Sequence, residues 1–409
     1  MKRLKICLFL ALPEASQDRP ISNSALAPLK FKIKQVSDVV RWNVFGSNEI
    51  NYYAWQDREG TNKGDGAIRQ AVRIALTTAF GDTEIAFTEI AWKDFGLAKA
   101  EEIARTHDLF VIAGSGYFHL DSGGNLARRV LRDLDLLARM ACPKIAFGIG
   151  VNYAVSTKRD DGWLAAPINA EAQNTIREVL SHLSAVSVRD GKTRDLLAPL
   201  ARTPIYLTGD PALFLAKPRT AERRTSGARP QIGLNIGVHE AGLVRRLPST
   251  IPAYVEFLHR MQNQHGAEIH YVMHTREERS VPRLLRARGV RITSHDLDFR
   301  QLPEVYAGLD LHVCEMLHSS ILSLSMGVPT LNIAYDSKNV AFYELLGVEP
   351  WIHPVSELSA DKLANLAAEM LSDRAALSQL VLGRIAALRD ANQDFLAAVL
   401  QGLAASAFA

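Results

Sequence analysis

Short apolar runs alternate with helix-length stretches twice along this chain, and the polar, basic segment AKPRTAERRTSGARP at 216–230 separates the two series. In the first series the runs are INYYAW (50–55), IAFTEI (85–90), DLFVIAG (108–114), KIAFGIG (144–150), AVSVRD (185–190) and IYLTGD (205–210). Helix-like stretches at 66–79, 97–106, 125–140, 170–183 and 191–200 lie between them. The second series runs QIGLNIG (231–237), EIHYVMH (268–274), VRITS (290–294), DLHV (310–313) and TLNIAY (330–335), with helices near 251–265 and 281–288. Strands that alternate with helices of this length build a parallel sheet covered on both faces, because each parallel crossover carries its own covering helix.

The expected fold is therefore α/β: two Rossmann-like domains facing a cleft, GT-B-like by analogy of architecture, with an Ala- and Leu-rich helical tail. A length of 409 residues exceeds one ordinary core and agrees with two domains. The boundaries read as an N-terminal extension (1–45), a first domain (46–215), a linker (216–230), a second domain (231–357) and the tail (358–409). The opening MKRLKICLFLALPEAS imitates a secretion signal, but its apolar run is short and Pro13 and Glu14 follow at once, so it reads as a first buried strand. A net charge of +3, without a Lys/Arg block interleaved with aromatics, argues against nucleic acid as a partner. Three dispersed cysteines, Cys7, Cys142 and Cys314, give neither a disulfide framework nor a zinc site. No apolar run reaches the ~18–20 residues of a membrane span. A cytoplasmic protein is expected.

The polar clusters fall at the carboxyl ends of strands, where open parallel sheets bind ligands. In GTNKGDGAI (60–68), Gly64 and Gly66 permit close backbone approach, and Asp65 suits either a sugar hydroxyl or a helix cap. GSGYFHLDSGGN (114–125) is a glycine-rich strand-to-helix loop: Gly114, Ser115 and Gly116 suit a phosphate cradle or a tight turn without ligand. FGIGVN (147–152) carries the same two readings. Arg189 ends a strand and suits an anion or a salt bridge with a neighbouring acid; Asp210 suits a turn or a cleft carboxylate. His318 precedes a helix expected to begin at Ser319 or Ser320, whose amino end favours an anion, and the next strand delivers Asp336 and Lys338 beside it. A proton-transfer residue beside an anion site is a candidate reaction centre.

Taken in order, YYAW…TNKGDGAI, DLFVIAGSGYF, KIAFGIGV, AVSVRDGKTRDLL, LTGDPAL and LHSSILSLSMGVPTLNIAYDSKN resemble the polysaccharide pyruvyl transferase family over about residues 50–345, as a divergent member. The resemblance implies transfer of pyruvate from phosphoenolpyruvate to a saccharide as a ketal, in exopolysaccharide or cell-wall glycan synthesis. It implies no cofactor and no metal. It matches Asp65, Arg189, His318 and Lys338 to residues of the family's motifs, with Arg189 on phosphoenolpyruvate and His318 as acid, base or phosphate ligand; Asp65 and His318 are expected to be catalytic. Arg189, Asn62, Gly64, Gly114, Ser115, Gly116, Ser319, Lys338 and Arg276 would serve substrate binding. A saccharide or lipid-linked saccharide is the implied acceptor, with peripheral membrane contact as its corollary.

One departure stands out. Met316 occupies the place of the arginine in the family's R-L-H motif, and Arg276 or Arg279 in MHTREER (273–279) are candidates to replace that cation. Two other function classes share the layout: a glycosyltransferase using a sugar nucleotide, and a non-catalytic glycan-assembly protein.

Overall fold

The structure is a computed structural model that describes residues 3–11, 62–121, 123–153, 168–218, 229–238 and 241–407. The run at 50–55 lies outside the described residues. In the first domain the strands are β1 (Leu4–Leu10), β2 (Ile85–Ala91), β3 (Leu109–Ala113), β4 (Phe118–Leu120), β5 (Lys144–Ile149), β6 (Val151–Tyr153), β7 (Ala185–Val188) and β8 (Ile205–Leu207). Their helices are α1 (Lys63–Ala79), α2 (Leu97–Thr106), α3 (Arg128–Arg139), α4 (Ala170–Ser181) and α5 (Gly191–Leu197). The second domain holds β9 (Gln231–Asn235), β10 (Glu268–Val272), β11 (Ile292–His295), β12 (Leu311–Cys314), β13 (Thr330–Ala334) and β14 (Ile352–Pro354). Around them lie α6 (Ala241–Gln264), α7 (Val281–Arg286), α8 (Leu302–Ala307), α9 (Leu317–Ser325) and α10 (Ser337–Leu346), followed by α11 (Ala360–Ser372) and α12 (Arg374–Ala407).

Among the described residues the first sheet is six-stranded and parallel, in the order β2-β1-β3-β5-β7-β8. The second is also six-stranded and parallel, in the order β11-β10-β9-β12-β13-β14. Their strands read as continuous apolar runs because both faces are covered. Ile6, Cys7, Leu8 and Phe9 are all fully buried. β1 is thus an interior strand paired to β2 and β3, and residues 4–10 belong to the first domain rather than to an extension outside it. The sequence of β1 alone supports a strand; only its neighbours in space show which sheet it enters.

The tail crosses back to the first domain. α12 packs on β7, β8 and α1, and Phe395 is buried with its ring 5.1 Å from Phe147 and 5.7 Å from Tyr206. Among the described residues no helix is long and apolar enough to cross a membrane.

Candidate active site

Two loops, one from each domain, meet where β8 and β12 end. Asp210 follows β8, and its Oδ1 accepts from the N–H of Ala212 at 3.0 Å, capping the short 3-10 turn Pro211–Phe214. That turn packs against both α1 and α9. α9 begins two or three residues earlier than the sequence suggested: Met316 is the capping residue, Leu317 is the first helical residue and His318 the second. His318 Nε2 consequently stands 3.9 Å from Asp210 Oδ2, an ion pair across the domain boundary whenever the ring is protonated.

The other face of the ring meets α1. A Cβ added to Gly64 would stand 2.1 Å from His318 Nδ1, so only glycine admits the imidazole here. Close approach is what Gly64 supplies, but to a side chain of the partner domain rather than to a ligand. Its N–H is spent on Asn62 Oδ1 at 3.0 Å. Asn62 is therefore the cap of α1, and the capping reading of Asp65 falls away. Asp65, in the helix's first turn, instead faces the cleft groups. Burial first, and then the Asp210 carboxylate, hold its carboxyl up at about 7, against Lys338, Arg189 and a hydrogen bond from Asn62. Burial likewise lifts Asp210 to about 6, with Arg189 and the Ala212 N–H opposing and Asp190 adding to the rise. Two buried carboxyls held toward the neutral form, one of them by the charge of the other, are a recognisable acid–base arrangement.

Arg189, at the end of β7 and 5% exposed, donates from Nη2 to Asn152 Oδ1 at 2.5 Å, and its Nε lies 3.5 Å from Asp190 Oδ2. Asp190 also caps α5 through the Thr193 N–H at 2.7 Å, so its charge is shared. Both readings of Arg189 are thus present: a local ion pair exists, while Nη1 takes no partner among the described residues. Gly150 lets the guanidinium lie against the backbone, since a Cβ there would stand 2.3 Å from Nε. Lys338, second residue of α10, sits 3.5 Å from Asp336 Oδ2 and over the Tyr335 ring, and its charge reaches Asp65.

Other expected contacts resolve differently. Gly114 has φ of +60°, and a Cβ on it would meet Ile68 Cγ2 at 2.3 Å; its N–H donates to Phe147 O at 2.7 Å. A Cβ on Gly116 would meet Asn152 Nδ2 at 2.0 Å. These glycines admit α1 and the asparagine that holds Arg189; Gly114 has no N–H left for a phosphate. Ser115 holds a left-handed φ of 63°, a conformation that costs a non-glycine residue about 1–3 kcal/mol, and its carbonyl accepts from Gly150 N at 2.8 Å. Ser319, expected to face the donor, is fully buried, its Oγ 2.8 Å from both Tyr306 Oη and His312 Nε2. The reason is the earlier helix start, which turns the third residue inward. Arg279 is engaged by Asp296 at 2.7 Å, and the side chain of Arg276 lies outside the described residues. Met316 is 4% exposed. Sequence reasoning left Asp210 undecided and passed over Lys63, which donates to Met273 O at 2.7 Å and Asp296 Oδ1 at 3.1 Å and docks α1 on the second domain. Its position within the GTNKGDGAI loop was the available signal.

The fold is that of GT-B-type enzymes. The chain superposes on a Listeria monocytogenes protein assigned as a UDP-N-acetylglucosamine 2-epimerase with a TM-score of 0.50 at 13% identity, covering 93% of this chain and 91% of that one. For the Neisseria meningitidis UDP-GlcNAc 2-epimerase bound to UDP-GlcNAc the TM-score is 0.50 at 9% identity, over 83% of this chain and 97% of that one. An O-GlcNAc transferase mutant of Thermobaculum terrenum gives 0.44 at 14% identity; 98% of this chain is covered but only 66% of that one. No curated protein matches the sequence. The model of the family described as polysaccharide pyruvyl transferase matches residues 62–337, from the cap of α1 to the start of α10 and more than half of the chain, and the chain belongs to that transferase family.

Proposed function

We propose that this protein transfers the pyruvyl group of phosphoenolpyruvate to a saccharide or lipid-linked saccharide, forming a ketal, in the cytoplasm during exopolysaccharide or cell-wall glycan synthesis. The observation that carries the reading is the meeting of His318 from one domain with Asp210 and Gly64 of the other, where Asp65, next to Gly64, feels the charges of Asp210, Arg189 and Lys338. Phosphoenolpyruvate presents a carboxylate and a phosphate, and two cations beside a helix amino end suit it. Asp65, whose carboxyl is held near neutrality, gives a proton to the methylene carbon, and C2 becomes electrophilic. A sugar hydroxyl adds to C2 as His318 takes its proton, phosphate leaves, and a second hydroxyl closes the ketal. Of the two hydroxyl protons, one replaces the proton spent on the methyl group and the other leaves with phosphate.

A thermal-shift screen of phosphoenolpyruvate, UDP, GDP and CMP tests the donor: stabilisation by phosphoenolpyruvate alone is expected. Stabilisation by a nucleotide would replace this reading with a sugar-nucleotide glycosyltransferase, and a response to none would favour an assembly role. With an acceptor in hand, His318→Ala is expected to cut turnover about 10²–10⁴-fold, the scale of lost acid–base help.

A further inference from the structure

We propose that Asp210 is a positioning residue for His318: a carboxylate of the first domain that accepts the Nε2–H of an imidazole of the second and so fixes the ring tautomer when the domains meet. The inference rests on the reading above for its part in catalysis, but not for the contact itself. Asp210 is 1% exposed, and its two oxygens are used unequally. Oδ1 is committed to the Ala212 N–H, whereas Oδ2 takes no hydrogen bond among the described residues and has His318 Nε2 at 3.9 Å. A shift of about 1 Å brings that pair to hydrogen-bond distance.

The other ring nitrogen points to the same conclusion. Nδ1 lies against Gly64, so both edges of the ring meet the first domain although the ring hangs from the second. Placing the hydrogen on Nε2 leaves the lone pair on Nδ1, the edge that faces the first turn of α1, which carries Asp65. The charged groups that face Asp210 are Asp65 from α1, Arg189 and Asp190 after β7, and His318 from α9. Burial opposes the ionised carboxylate that the contact requires, Arg189 and the Ala212 N–H favour it, and Asp190 opposes it. A ring nitrogen oriented by a buried carboxylate is the arrangement by which second partners set histidine chemistry elsewhere.

Asp210→Asn is the discriminating variant. Its amide oxygen still caps the 211–214 turn, while the amide N–H₂ replaces the oxygen that faces Nε2. Nitrogen-15 spectra of the ligand-free protein, with His318 assigned by its loss in His318→Gln, should show the Nε2–H tautomer in the natural protein and its loss in the variant. Turnover should fall about 10- to 100-fold with the donor KM within about twofold. An unchanged tautomer in Asp210→Asn overturns the proposal, whatever happens to turnover. A tautomer change in a protein that does not bind phosphoenolpyruvate would uphold the contact and sink the donor reading instead, so the two failures are distinguishable. Should Asp210→Asn not fold, the carboxyl carbon-13 signal of Asp210 is compared between the natural protein and His318→Ala, where an unchanged signal overturns the proposal.

Discussion

His318 rests on bare backbone at Gly64: a methyl group there would stand 2.1 Å from Nδ1 and 2.2 Å from Cγ. Two residues 254 positions apart in sequence therefore fit only because one has no side chain. Gly64→Ala should stabilise α1 by its helix propensity alone, roughly 0.5–1 kcal/mol. The clash outweighs that gain and drives the ring away from Asp210. Turnover should fall at least 10-fold with the circular-dichroism helix signal intact; retained turnover would mean that the ring relocates without consequence.

Arg189 tests anion binding. Arg189→Ala should raise the dissociation constant for phosphoenolpyruvate by roughly 10- to 100-fold, the expectation for a charge-assisted contact worth about 1.5–3 kcal/mol. A lower melting temperature with unchanged affinity would instead assign the arginine to its bonds with Asn152 and Asp190.

The raised carboxyls of Asp65 (about 7) and Asp210 (about 6) set the sign of two pH effects. A folded-state pKa above the unfolded value means that the folded protein binds more protons between the two. Stability contributed by these groups therefore falls as pH rises from about 4 to about 7 and stays lost above it. Asp65→Asn should accordingly raise the melting temperature at pH 8 and leave it unchanged near pH 4. Turnover of the natural protein should decline above about pH 7, as Asp65 loses the proton it donates. A melting temperature lowered at pH 8 would contradict the first expectation, and a flat rate profile the second.

Met316→Arg probes the missing cation. The position is buried, and Arg279, one of the two expected replacements, is held by Asp296. The substitution should lower the melting temperature by burying a charge, while tightening phosphoenolpyruvate binding by about 10-fold. Weaker binding measured by calorimetry would show that the site manages its charge without a guanidinium at this position.

The two parallel sheets were legible because a strand buried on both faces leaves an uninterrupted apolar run, as in β3 and β5. Pairing was not legible: nothing in KICLFL says that it joins β2 to β3. At the site, Arg189 could be named from a strand end, and His318 and Lys338 from the first turns of the helices that follow β12 and β13; Asp65 lies in the first turn of α1, and the run at 50–55 from which it was named is outside the described residues. The glycines could not be assigned. A glycine that admits a phosphate and one that admits Ile68 or Asn152 are the same letter, and only the neighbour decides. Helix register was the remaining gap: a start two or three residues earlier separates a Ser319 that faces the cleft from one bonded to Tyr306 and His312.

The tail leaves a mechanical consequence. The chain passes between the domains at the 216–230 segment and returns through α12, whose Phe395 is buried against Phe147 and Tyr206 of the first sheet. The first domain is held to the second by this helix and also by α1, which Lys63 anchors to Met273 O and Asp296. Emptying the seat of Phe395, as in Phe395→Ala, would therefore loosen the hold of the first sheet on α12 without touching a reacting atom.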